Sequence, residues 1–129
     1  MKPAEYNNWK SLQERGRNSN YFKGYKIQEQ KQSSSTGKRP DYFGVSRKDH
    51  RNRIVGDAKN VKNLTKQNVN QVKRYKSHPF YAQKGVIIVK RTTIVSDDVR
   101  EYARDSNIDI TRVRAKKMPR KKGFWESLF

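Results

Sequence analysis

The run Gly85-Val86-Ile87-Ile88-Val89 constrains this chain more than any other stretch. Successive strand residues point to opposite faces, so an unbroken apolar run needs cover on both and reads as a central strand. Hydrophobic residues make up only 32% of the 129, which leaves a modest core and room for unstructured ends. The other apolar residues fall into short patterned segments around this strand. They predict one α/β domain, a mixed central β-sheet flanked by helices.

The segments come in order. Ala4 to Arg15 has helical spacing, with Tyr6, Trp9 and Leu12 on one stripe and Gly16 placed as a stop. Glu5, one turn before Trp9, lies on the apolar side, whereas Glu14 projects away. Glu5 reads either as a first-turn acid facing the helix dipole or as a carboxylate aimed at a site. Tyr21 to Gln30 alternates like a half-exposed strand, with Glu29 a second candidate acid, and Ser33 to Gly37 reads as a loop. Pro40 to Val45 predicts a second strand in which proline stiffens the approach to Asp41. A charged turn over Asp49 to Asn52 leads into a third strand, Arg53 to Val61, where Asp57 and Lys59 share a face. Asp41 and Asp57 then sit on neighbouring antiparallel strands, where two carboxylates can meet.

Leu64, Asn68, Gln71, Val72 and Tyr75 mark one face of a helix ending before His78-Pro79. Lys62, Lys66, Lys73, Arg74 and Lys76 face outward. After the central strand, Ser96 is placed as the N-cap of a helix with Asp97 and Asp98 in its first turn and Val99, Tyr102 and Ala103 inward. Ile108 to Val113 predicts the last strand. The predicted order is α-β-β-β-α-β-α-β, with a domain over residues 1–115 and a basic, aromatic tail over 116–129 that ends in Phe124, Trp125, Leu128 and Phe129.

Charge narrows the function. Lys and Arg total 31 against 12 acids, a net +19, which points to a polyanionic partner. Nucleic acid leads, ahead of an anionic membrane or an acidic protein. The absence of cysteine excludes disulfides and thiolate metal sites. Two histidines, His50 and His78, are too few for a histidine zinc site unless carboxylates complete it. No apolar run approaches the ~18 residues that span a bilayer, and no signal-peptide core follows Met1, so a soluble piece is expected.

Pro40-Asp41, then Asp57-Ala58-Lys59, then Gln71 with Tyr75 resemble the PD-(D/E)xK, restriction-endonuclease-like nuclease superfamily. Gly-Lys-Arg-Pro-Asp at 37 to 41 and Asp-Ala-Lys-Asn-Val at 57 to 61, followed by Leu64-Thr65 and Gln71, are similar to the C-terminal nuclease toxin domains of bacterial polymorphic toxins. The resemblance implies a metal-dependent endonuclease with a restriction-endonuclease-like core. Asp41, Asp57 and the Ala58 carbonyl would hold Mg²⁺, with Mn²⁺ as a substitute. Lys59 would orient the attacking water, Gln71 would position water or phosphate, and Tyr75 would support Gln71. A further acid is expected from the first helix; Glu5 fits its facing and Glu29 is the reserve. Members commonly carry Glu where this chain has Asp57. The resemblance also implies DNA as the favoured substrate with little sequence specificity, an acidic immunity protein, and export from a producer cell to act in the target cytoplasm. A structure-selective or RNA-cleaving relative and a non-enzymatic nucleic-acid-binding module are the alternatives.

Overall fold

The computed structural model describes residues 3–29, 39–77 and 80–113, without the side chains of 3–7 and 29. The predicted loop at 33–37, the His78-Pro79 pair and the tail at 116–129 lie outside the described residues.

Helix α1 (Pro3–Arg17) precedes strands β1 (Tyr25–Glu29), β2 (Tyr42–Ser46) and β3 (Arg53–Lys59). Helix α2 (Lys66–Tyr75), strand β4 (Lys84–Lys90), helix α3 (Asp97–Asp105) and strand β5 (Ile108–Val113) complete the chain order. The element order is the predicted one. The five strands lie side by side in chain order, antiparallel from β1 to β3 and parallel from β3 to β5. The change of direction arises from the connections, since antiparallel neighbours can be joined by a short turn and parallel ones need a crossover. Helices α2 and α3 are those crossovers, and the right-handed rule brings both to one face of the sheet.

Two cores result. Val69 and Val72 of α2 and Val99 and Ala103 of α3 bury Val55, Ile87 and Ile108 on one face. On the other, Leu12 of α1 packs with Phe22, Tyr42, Ile54, Ala58, Val86 and Ile88. All five residues of the apolar run in β4 are buried, as a strand covered by both layers must be. Burying each large aliphatic side chain contributes about 1.5–3 kcal/mol.

Several boundaries differ from the sequence reading. Tyr21 and Phe22 lie in a 3-10 turn, and the first strand begins only at Tyr25; Phe22 is buried there against Tyr42, with ring centroids 5.0 Å apart. Gly16 does not stop α1, which continues to Arg17. It is where the helix comes closest to the sheet: a Cβ there would meet the Tyr42 hydroxyl at 2.7 Å and Ile88 Cγ1 at 2.9 Å. The third strand ends at Lys59, so Val61 and Leu64 lie in the connection to α2. Asn68 belongs to a capping box with Thr65 and not to the packed face: Asn68 N–H donates to Thr65 Oγ1, and Thr65 N–H to Asn68 Oδ1. Lys76 does not face freely outward, because its ammonium donates to the Ser106 carbonyl at 2.7 Å.

Candidate active site

The site begins where β2 and β3 part. Their ladder ends at Tyr42 opposite Gly56, and the next pair in register is Asp41 and Asp57. Side chains continue the ladder there. The Asp41 N–H donates to Asp57 Oδ1 at 3.0 Å, and the Ala58 N–H donates to Asp41 Oδ2 at 2.8 Å. Proline at 40, buried, starts this divergence; it has no N–H to give a ladder and fixes its own φ. In an extended strand the N–H and C=O of one residue point to the same side. The Ala58 carbonyl therefore faces the gap that Asp41 occupies.

Asp57 is 3% exposed and sits on the α2 face of β3 with Lys59. The Lys59 ammonium lies 3.4 Å from Asp57 Oδ2 and donates to Gln71 Oε1 at 2.5 Å. The Gln71 amide donates to the Tyr75 hydroxyl at 2.9 Å, as the i, i+4 spacing on α2 allows. One chain of contacts thus runs from Asp41 through Asp57, Lys59 and Gln71 to Tyr75. From the opposite layer, the Trp9 indole N–H on α1 donates to the Asp41 carboxylate. Helix α1 is tied on further by the Tyr42 hydroxyl, which donates to the Gln13 carbonyl at 2.5 Å.

Burial, and then the Asp57 charge, push Asp41 up to about 7, against the Ala58 N–H, Lys59 and Trp9. Burial also raises Asp57, against Lys59 and the Asp41 N–H. Tyr75 is pushed up to about 12 by burial and by the Asp57 charge. Two carboxylates held together out of water favour a positive charge between them. Their oxygens and the Ala58 carbonyl are hard donors, and Mg²⁺ is commonly held by one or two carboxylates with water completing its shell. The donor set fits such an ion. Among the described residues no group of three or more acidic, histidine or cysteine side chains gathers in one place. Glu14 is exposed, and the side chains of Glu5 and Glu29 lie outside the described residues.

The apolar stripe of α1 places Trp9 on the packed face but does not reveal its contact with Asp41. A signal was present: a tryptophan on a packed helix face needs an acceptor for its N–H, and the half-buried Trp9 finds it in Asp41.

The mixed five-stranded sheet, with α1 on one face and α2 and α3 on the other, is an α/β fold. No protein-family model matches the chain, and no curated protein matches it. Among solved structures the chain is similar to EndoMS in its apo form, with 12% sequence identity and a TM-score of 0.52. The match covers 88% of this chain and 46% of EndoMS, so this chain spans less than half the length of that protein. At this identity the likeness is one of fold. Among the described residues no helix is long and apolar enough to cross a membrane.

Proposed function

We propose that this chain is a metal-dependent endonuclease that hydrolyses phosphodiester bonds, with duplex DNA as its favoured substrate. The observation that carries the reading is the reciprocal junction of Asp41 with Asp57 and Ala58, with Lys59 on the same face. EndoMS, whose fold this chain shares, is a nuclease, and the net charge of +19 suits a phosphate backbone.

Asp41, Asp57 and the Ala58 carbonyl would hold Mg²⁺, which when bound supplies Lewis acidity and a more acidic water. The chain's own groups do the rest. Lys59 donates from between Asp57 and Gln71, so its ammonium is fixed where it can orient a water and neutralise charge growing on the phosphate. Gln71 limits the swing of Lys59, and Tyr75 anchors the Gln71 amide. Water adds to phosphorus as the bond to the 3′ oxygen breaks; the water's proton passes to solvent, and the departing 3′ oxygen takes a proton from solvent to become a hydroxyl. The similarity of residues 37–41 and 57–61 to polymorphic-toxin nucleases supports a role as an exported toxin effector, held in check by an acidic immunity protein.

Side-by-side digestion of duplex DNA, junction DNA and total RNA, each in Mg²⁺ and in EDTA, tests the reading. Cutting of duplex DNA that EDTA abolishes is expected, together with Mg²⁺ binding by calorimetry that Asp41→Ala removes. Tight DNA binding with no cutting and no metal site would make the chain a binding module instead.

A further inference from the structure

Two loops at the same end of the sheet as Asp57 are fastened to each other. One leaves β3 and the other leaves β4, and Asn63 pairs with Ile94 between them in an isolated parallel bridge. The Ile94 N–H donates to the Lys62 carbonyl at 2.8 Å, and the Leu64 N–H to the Ile94 carbonyl at 2.9 Å. Thr93, 2% exposed, donates its hydroxyl to the Val61 carbonyl at 2.7 Å. From β5 the Arg112 guanidinium donates to the Thr93 carbonyl at 2.5 Å and to the Arg91 carbonyl at 3.3 Å. The backbone under Ile94 is pinned from both sides, yet its side chain is 54% exposed. Among the described residues Tyr81 is the other exposed large hydrophobic, and it precedes β4, at the far end of the sheet.

Single exposed apolar side chains are ordinary on protein surfaces. This one differs in its pedestal and its surroundings. In the two fastened segments, residues 61–64 and 91–95, Lys62 and Arg91 are exposed and there is no acid; the next acids along the chain, Asp97 and Asp98, lie in the first turn of α3. An apolar tip in a cationic collar matches duplex nucleic acid, whose phosphates pair with the collar while the tip enters between base steps. The six residue steps from Asp57 to Asn63 reach at most about 20 Å, and the bridge across to Ile94 adds about 5 Å, about seven base pairs in all.

We propose that Ile94 is a wedge that unstacks duplex DNA within about seven base pairs of the bond cut at the carboxylate site. The cut itself rests on the nuclease reading, but the unstacking does not need cleavage. The wedge makes the protein favour duplex that opens easily.

A duplex carrying 2-aminopurine, which brightens when unstacked, reads the wedge in EDTA with the full chain. The parent is expected to raise the fluorescence roughly threefold or more, while Ile94→Ala and Ile94→Gln bind the duplex and leave it nearly dark. In Mg²⁺, Ile94→Ala should cut perfect duplex roughly tenfold more slowly and regain the parent rate on duplex with a single-base bulge. Equal brightening by parent and Ile94→Ala overturns the proposal, as does binding by the parent without brightening. If Ile94→Ala loses only its affinity for vesicles of equal parts phosphatidylserine and phosphatidylcholine, Ile94 serves a membrane and the proposal also fails. Brightening by the parent without cutting in Mg²⁺ leaves the wedge standing and removes the nuclease reading.

Discussion

Asp41 and Asp57 are costly residues to bury together, and that cost shows how the site behaves without metal. Asp41 sits near 7 in the fold against 3.8 in the free side chain, and Asp57 is raised as well. Between those values the native protein binds more protons than the unfolded chain. Stability therefore falls as pH rises from about 4 to 7 and stays reduced above that. Metal-free protein should melt at a lower temperature at pH 8 than at pH 5.5. Asp41→Asn keeps an oxygen for the Ala58 N–H and removes the titrating charge, so it should flatten this dependence and stabilise the protein at pH 8 by roughly 1–3 kcal/mol. Thermal melts of both proteins in EDTA check this, and an unchanged pH profile in Asp41→Asn would mean that the pair does not carry the penalty. The meeting of Asp41 with Asp57 was legible in the sequence, because a hairpin of that length brings the two into register. The pairing of each carboxylate with a backbone N–H was not legible. It depends on where the ladder stops, and hydrophobic patterning does not mark that point.

Strand β3 is held against β4 so closely that position 56 has no room for a side chain. A Cβ on Gly56 would meet Val86 Cγ1 at 2.4 Å and the Val86 carbonyl oxygen at 2.6 Å. Since backbone must yield, Gly56→Ala should cost about 1–3 kcal/mol or more and disturb Asp57 next to it. Thr65→Ala removes one half of the α2 capping box and should cost about 1 kcal/mol. Because α2 carries Gln71, it should also slow any cutting. Urea titrations of the two variants give the ranking, with Gly56→Ala the worse. The order of helices and strands was readable because β4 is apolar throughout and α3 has a clear cap at Ser96. The misread boundaries share a cause. Tyr21 and Phe22 alternate as a strand would, yet Phe22 turns in to pack on Tyr42. Gly16 looks like a helix stop, yet its bareness serves contact with Tyr42 and Ile88. In both places tertiary packing overrode a local signal.

For the whole molecule, charge and site point to one partner. With duplex DNA as the proposed partner, a net +19 over 129 residues predicts binding dominated by counterion release. Affinity for duplex DNA should drop by about 10³ or more between 50 and 200 mM salt, a loss that anisotropy titrations in EDTA would measure. A shallow dependence would mean that the basic surface serves something other than phosphates. If Asp57 and Lys59 carry out phosphodiester hydrolysis, nicking of supercoiled plasmid in Mg²⁺ depends on both. Parent protein is expected to nick, and Asp57→Ala and Lys59→Ala to fall by at least about 100-fold while still binding the plasmid. Nicking by both variants at the parent rate would mean that neither residue takes part in the chemistry.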